Sequence, residues 1–326
     1  MSDHTILVTG CAGFIGSYIS AALLKSGQQV VGVDSINDYY DPRLKRARLS
    51  KLRFDSNFQF FELDVSNKTE LRQLFLSRNV TQVVHLAAQA GVRYSIINPE
   101  AYSRANIDGF LSVISLCAEF KVQHLVYASS SSVYGANTKV PFHEDDPVNS
   151  PVSYYAATKR SNELTAQVFS GQYQLACTGL RFFTVYGPFG RPDMAYWSFT
   201  ENIVANRVIS VFGKGLLARD FTYVDDVVSS IERVLQLPPA ENVPHRILNV
   251  GNSSPHTVND LIRAIEIATG KTALREDRPQ PLGDVEKTFC DSTRLSDLTG
   301  FSPRTDLQTG INKFVAWYEN FKLENH

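Results

Sequence analysis

Only four cysteines occur among the 326 residues (Cys11, Cys117, Cys177 and Cys290), and no two of them form a CxxC pair. That scatter excludes a disulfide framework and a cysteine-ligated metal site, and it fits thiols kept in a reducing compartment. No run of about 18 apolar residues is present, so no membrane-spanning helix is expected. The opening Met1-Ser2-Asp3-His4 lacks a basic segment followed by a long apolar one, so a cytoplasmic location is expected. A surplus of one charge is also missing. Thirty-two Lys and Arg face 33 Asp and Glu, for a net charge of −1. Such a balance offers no field for nucleic acid or an anionic membrane, so any anionic ligand must be met by individually placed arginines. Repeats and low-complexity tracts are absent. What remains, 43% hydrophobic and 20% charged residues, is the make-up of a globular chain able to bury a core.

The first half alternates short apolar runs with longer amphipathic ones. Strands are expected at Thr5–Thr9, Gln29–Val33, Phe58–Leu63, Gln82–Leu86, His124–Ala128 and Gln174–Leu180, and helices at Ile15–Lys25, Thr69–Ser77, Ala105–Phe120 and Tyr155–Ser170. Apolar strands at this spacing suit a parallel sheet covered by helices on both faces, a doubly wound α/β domain over residues 1–180. Beyond Leu180 the alternation loosens. A loop rich in Gly and Pro, Tyr186-Gly-Pro-Phe-Gly-Arg-Pro192, leads to helices near Ser198–Asn206, Asp225–Leu237 and Val258–Thr269, with strands at Ile209–Phe212 and Ile247–Val250. Thr257 with Asp260 marks the start of the last helix and Gly270 its end. This predicts a smaller mixed α/β C-terminal substrate domain, residues 181–221 and 251–326, with the segment near 222–250 returning to the first.

Between the first strand and helix stands Thr9-Gly10-Cys11-Ala12-Gly13-Phe14-Ile15-Gly16. Gly10 permits a tight turn, Gly13 lets backbone approach a pyrophosphate, and Gly16 lets helix and strand pack closely. The phosphates of a dinucleotide would then rest on the positive end of that helix. Asp34, just after the second strand, suits the adenosine ribose hydroxyls and repels the extra phosphate of NADP, so NAD is the expected cofactor on a Rossmann fold. Asp64 and Val65, after the third strand, are placed for the adenine, and Phe14, Ile15 and Ala87 complete the expected cofactor contacts.

Tyr155-Ala-Ala-Thr-Lys159 opens a helix behind the proline-containing loop Asp146–Pro151. Positions i and i+4 share a helix face, so phenol and ammonium point into one cleft. A phenol of pKa near 10 is a poor base at neutral pH, and a lysine ammonium beside it favours the tyrosinate. Tyr154 has Thr158 at i+4, so only Tyr155 has the lysine. Upstream, Ala128-Ser-Ser-Ser-Ser-Val-Tyr134 ends a strand and offers hydroxyls to bridge a sugar hydroxyl and the tyrosinate.

Taken in order, these residues resemble the extended short-chain dehydrogenase/reductases over essentially the whole chain. Longer strings narrow the resemblance to nucleotide-sugar epimerases, most of all the UDP-glucuronate 4-epimerases: Asp38-Tyr-Tyr-Asp-Pro-Arg-Leu-Lys45, His85-Leu-Ala-Ala-Gln-Ala-Gly-Val-Arg-Tyr-Ser95, Arg181-Phe-Phe-Thr-Val-Tyr-Gly-Pro188 continuing to Met194, and Arg219-Asp-Phe-Thr-Tyr-Val-Asp-Asp226. The resemblance implies that Ser130, four residues before Tyr134, is the catalytic hydroxyl, with Ser131 and Ser132 near the sugar. Related dehydratases carry Asp-Glu at those two positions, so dehydration lacks its acid and base here. Thr184 stands where galactose-type epimerases have Asn. The arginine expected before the Gly-Asp of the C-terminal substrate segment is Pro281, with Asp284 following, and Arg278 is expected to supply that charge. Arg219 is the expected diphosphate or uridine contact.

By this resemblance Tyr155 takes the proton of the sugar 4-hydroxyl while NAD accepts the C4 hydride, and the 4-keto sugar turns over before the hydride returns. A uronate ketone is a β-keto acid prone to lose carbon dioxide, so its carboxylate must be restrained; Arg191, Arg93 and Ser131/Ser132 are the candidates. The resemblance also implies a homodimer paired through Ala105–Phe120 and Tyr155–Ser170 and a role in polysaccharide biosynthesis. The alternatives are a UDP-glucuronate decarboxylase, a 4-epimerase of UDP-glucose or UDP-N-acetylglucosamine, and, more remotely, a non-catalytic NAD-sensing protein.

Overall fold

The computed structural model describes residues 4–279 and 286–324. Within them the chain packs as two compact units. The first is residues up to Asn137, Glu144–Phe182 and Val228–Asn249; the second is Thr138–His143, Phe183–Val227 and Val250 onward. Residues 138–143, expected in the first domain, therefore belong to the second. There the Phe142 N–H donates to the Phe289 carbonyl at 2.7 Å.

The first unit is built from β1 (Thr5–Thr9), α1 (Phe14–Lys25), β2 (Gln29–Asp34), α2 (Pro42–Ser50), β3 (Phe58–Glu62), α3 (Lys68–Ser77) and β4 (Val80–His85). Short α4 (Tyr94–Ile97) and α5 (Pro99–Tyr102) follow, then a π-helical turn Ser103–Asp108, α6 (Gly109–Glu119), β5 (His124–Ser130), α7 (Tyr154–Tyr173) and β6 (Cys177–Phe182). Its seven-stranded sheet runs β10-β6-β5-β4-β1-β2-β3, where β10 is His245–Val250, and every pairing from β3 to β6 is parallel. Strand order reverses between β1 and β4, which opens a crevice at their C-terminal ends. Leu7, Val31, Val83 and Leu125 of the sheet bury against Leu71 and Phe75 of α3 and Val113 and Leu116 of α6. All four cysteines are buried free thiols.

The second unit contains β7 (Thr184–Tyr186), α8 (Ala195–Val204), β8 (Val208–Phe212) and β9 (Ala218–Tyr223). After α9 (Val224–Leu235), which crosses the unit boundary, come β11 (Pro255–Thr257), α10 (Val258–Thr269), β12 (Leu274–Arg278), α11 (Thr293–Thr299) and α12 (Leu307–Glu324). Its sheets are small: β11-β9-β7 and β12-β8. Aromatic packing dominates its core, with Trp197 against Phe314 and Tyr318 at ring separations of 5.8 and 5.7 Å. The expected capping box at α10 is present, Thr257 and Asp260 exchanging hydrogen bonds, and Gly270 closes the helix at φ +66°.

The expected strands form, with shifted ends. The sixth starts at Cys177 rather than Gln174 because Gln174, at φ +54°, terminates α7 in the left-handed region. The expected helix Ala105–Phe120 is broken by the π turn. Helix α2 was not foreseen. Its sequence PRLKRARLS has no apolar stripe, and it starts instead on local chemistry: Asp41 accepts the Arg43 N–H at 2.9 Å and Pro42 occupies the first turn.

Candidate active site

Every candidate in the first unit lies at or just beyond the C-terminal end of a sheet strand or at the start of the following helix. The loop after β1 is tied down on two sides. Gly10 and Cys11 donate to the Val33 carbonyl at 2.7 and 3.3 Å, and Thr9 Oγ1 accepts the Ala87 N–H at 3.2 Å and contacts His85 Nδ1 at 2.7 Å. Burial, and then the neighbouring Lys159, push His85 down to about 3, so the ring is neutral. Gly10 has φ +71°, and a methyl there would meet Ala87 N at 2.8 Å; a methyl on Gly13 would meet the Gly10 carbonyl at 2.9 Å, and one on Gly16 would overlap that same carbonyl outright. The three glycines thus form a cradle of exposed backbone. Helix α1 begins at Gly13 with no side chain capping it and no acid in its first turn. Side chains cap α2, α3, α7 and α10, while α8 and α11 also start without such a cap. An uncapped helix start behind a glycine turn is what a pyrophosphate requires.

Asp34 is buried at 8% exposure, its carboxylate accepting the Ala12 N–H at 3.1 Å and the Ile36 N–H at 2.9 Å. Two cations that the sequence reading did not single out lie close by. Arg48 donates to the Ala12 carbonyl at 3.1 Å and to Tyr40 Oη at 2.6 Å, while Lys45 bonds Asn37 through its carbonyl (2.9 Å) and its side-chain oxygen (2.6 Å). Both are almost fully buried. Phe14 and Val65 are buried; Ile15 and Ala87 are partly so. Asp64 lies two residues past β3. It accepts the Ser66 N–H and hydroxyl at 2.9 and 2.8 Å and pairs with Arg104 at 2.8 Å.

Ser153 starts α7 by accepting the Ala156 N–H at 3.1 Å, which places Tyr155 in the first turn. The Tyr155 ring meets the buried Tyr102 ring edge-on at 6.0 Å. One turn on, Lys159 is 4% exposed and donates through Nζ to the Ala128 carbonyl at 2.9 Å. Burial brings its ammonium down from 10.5 to about 8. Ser130, two residues beyond that carbonyl, caps the short helical turn Ser131–Tyr134; its hydroxyl oxygen accepts the Ser132 N–H at 3.2 Å and the Ser132 hydroxyl at 3.0 Å. With both acceptor positions used, its proton is left to donate.

The expected substrate arginines fare differently. Arg93 is exposed at the start of α4. In the second unit Arg191 clasps Asp193 with Nε and Nη2 at 3.0 and 2.5 Å, and its backbone N–H donates to Tyr196 Oη at 3.2 Å. Arg219 donates to the Ala218 carbonyl at 2.9 Å, and Arg278 pairs with Glu276 at 2.8 Å on the surface. Thr184 opens β7, half-buried. Asp284 and Pro281 lie outside the described residues. Much of the Arg219–Asp226 string is architectural. The buried Asp220 carboxylate accepts the Asn252 and Cys290 N–H groups at 2.7 and 3.1 Å, and Asp226 accepts those of Arg304 and Thr305 at 3.1 and 2.8 Å.

Three comparisons bear on this geometry. The profile of the NAD dependent epimerase/dehydratase family matches residues 6–251. UDP-glucuronate 4-epimerase 4 of Arabidopsis thaliana is 45% identical over 97% of this chain and 76% of its own length, and Protein CapI of Staphylococcus aureus is 46% identical over 96% of this chain and 98% of its own. The crystal structure of UDP-glucuronic acid 4-epimerase from Bacillus cereus in complex with UDP-glucuronic acid and NAD superposes with a TM-score of 0.91 at 32% identity, covering 97% of this chain and 99% of that one. From the glycine cradle through the Tyr155–Lys159 pair to these matches, the chain belongs to the NAD-dependent epimerase/dehydratase family.

Proposed function

We propose that this chain catalyses the NAD-dependent 4-epimerisation of a UDP-sugar, and that the sugar is UDP-glucuronate, converted to UDP-galacturonate through a transient 4-keto sugar. The observation that carries the reading is the placement of Tyr155 one helical turn before a buried Lys159 whose ammonium is fixed on the end of β5. NAD fits the residues present: the glycine cradle and the uncapped start of α1 suit its pyrophosphate, and the buried carboxylate of Asp34 suits its ribose. When bound, NAD supplies hydride acceptance from C4 and hydride return to it.

The chain's own groups handle the proton and the charge. At neutral pH Lys159 is still mostly an ammonium, which favours the Tyr155 phenolate. That phenolate takes the proton of the sugar 4-hydroxyl at its oxygen, while Ser130 donates its one remaining hydrogen bond to the sugar 4-oxygen. On return the phenol gives the proton back. Arg219 and Arg278 hold the diphosphate end while the sugar turns, and Arg191, Arg93 and the Ser131/Ser132 hydroxyls restrain the carboxylate so that the ketone intermediate does not lose carbon dioxide. Incubating the purified protein with UDP-glucuronate and resolving the nucleotides tests this. UDP-galacturonate is expected; UDP-xylose alone, or unchanged substrate, contradicts it.

On this reading the protein acts in the cytoplasm in uronate supply for polysaccharide biosynthesis, as a homodimer. Helices α6 and α7 leave Leu111, Leu164 and Val168 about half exposed, which supports pairing through that face. Sedimentation should give twice the chain mass, and Leu164→Glu should halve it. Among the described residues, no helix is long and apolar enough to cross a membrane.

A further inference from the structure

Tyr155, Lys159 and Glu163 recur at intervals of four along α7, so all three share one helix face. The chemistry proposed above uses the first two and leaves the third without a role. Glu163 is only 1% exposed, and a carboxylate buried that deeply is costly unless it is fully paired. Its pairing is complete. Oε1 accepts the Ser129 hydroxyl at 2.6 Å and Arg181 Nε at 2.9 Å; Oε2 accepts Arg181 Nη2 and Arg160 Nη1, each at 3.0 Å. Arg181, on β6 and also buried, donates onward to the Glu144 carbonyl at 3.2 Å and lies 4.8 Å over the Tyr134 ring, whose hydroxyl donates to Asn249 at 2.6 Å.

The last residues of β5 show what this network controls. Ala128 gives its carbonyl to Lys159, Ser129 gives its hydroxyl to Glu163, and Ser130 is the hydroxyl assigned to the sugar. Successive side chains of a strand point to opposite faces, so gripping Ser129 fixes the direction of Ser130. The same carboxylate is rigidly attached to Tyr155 and Lys159 through two turns of helix. We infer that Glu163 is a positioning residue for the epimerisation: by holding Ser129 on one strand and Arg181 on the next, it sets the register of α7 against the sheet and so the placement of Tyr155 and Lys159 relative to Ser130. The inference rests on the reading of Tyr155 as the proton acceptor. Charge-assisted hydrogen bonds are the type suited to such a clamp, being short and strong. Burial works to raise the Glu163 carboxyl, but the bonds from Arg181, Ser129 and Arg160 outweigh it and hold the group below its ordinary range, so it stays ionised.

Glu163→Gln would strand Arg181 in the interior and could unfold the chain, so Ser129→Ala carries the test. It cuts the Glu163 link to β5 and leaves the Glu163–Arg181 pair and the Lys159–Ala128 bond in place; Ser129→Thr restores the hydroxyl. With the full-length protein and UDP-glucuronate deuterated at C4, Ser129→Ala is expected to lower kcat by about tenfold or more, since misplacement of about 1 Å can cost about 10²-fold. KM and bound NAD should stay within about twofold, and the deuterium isotope effect on kcat should grow as hydride transfer becomes limiting. Ser129→Thr should recover most of the rate. A kcat within twofold of the parent, or a fall that only tracks lost folded protein or lost NAD with an unchanged isotope effect, would overturn the assignment. Absence of turnover in the parent protein would instead overturn the underlying reading.

Discussion

The charged groups around Tyr155 in the first unit are buried and locked, whereas the arginines of the second expected to meet substrate are partly exposed. Lys159, Arg181 and Glu163 are each under 5% exposed and bonded across different elements of one sheet layer. Arg191 holds Asp193 two residues away, Arg278 holds Glu276 two residues back, and Arg219 donates to the Ala218 carbonyl at 2.9 Å and to the Glu286 carbonyl at 3.5 Å. The energies differ accordingly. Breaking a buried pair by removing one partner costs about 3–5 kcal/mol, while releasing an exposed pair costs about 0–1 kcal/mol. The groups around the catalytic pair are therefore preorganised, and on the proposed function the arginines expected to meet substrate are the less deeply buried set.

Four substitutions or conditions would break or sharpen that contrast. The largest effect is expected from Tyr155→Phe, which removes the proton acceptor; kcat should fall by about 10²–10⁴-fold with NAD still bound, read by nucleotide release and steady-state assay. Next, Arg191→Ala should raise KM for UDP-glucuronate about tenfold and divert part of the product to UDP-xylose, since an unrestrained β-keto acid loses carbon dioxide; chromatography of the products checks it. If Arg191 serves only Asp193, neither will change.

A titration follows in size. Lys159 must be charged to favour the phenolate, so kcat should decline above pH 8, by at most tenfold per unit. The stability sign is the reverse. Because the folded value is depressed from 10.5, burying the ammonium costs stability below about pH 8, and that cost is relieved between about 8 and 10.5. Activity and this group's contribution to stability should therefore move in opposite directions across that window, and parallel kcat and Tm series would show it. Smallest of all, Arg278→Ala should leave Tm unchanged within error, its pair with Glu276 being half exposed, and raise KM a few-fold if it serves the diphosphate.

Legibility in the sequence followed the same division. Gly10, Gly13 and Gly16 could be read from spacing because backbone geometry admits no other residue there, and Tyr155 with Lys159 because an i,i+4 pair on a helix has a single geometric meaning. Lys45 and Arg48 were missed. A basic segment such as PRLKRARLS normally marks a solvated face, yet these two are buried with Asn37, Tyr40 and the Ala12 carbonyl among their partners. Asp220 looks like a companion of Arg219, yet it is a buried hub for backbone at 252 and 290, a role set by chain segments far away in sequence. Glu163 was silent for the same reason: its partners lie on β5 and β6, and nothing local announces them.

The most direct test of the central claim is the fate of the C4 hydrogen. UDP-glucuronate carrying deuterium at C4, incubated with the protein in ordinary water, should yield UDP-galacturonate with the deuterium retained at C4, and Tyr155→Phe should form essentially none of it. Loss of the label to solvent, or full turnover by the substituted protein, would contradict a hydride passed to and from bound NAD with Tyr155 as the proton acceptor.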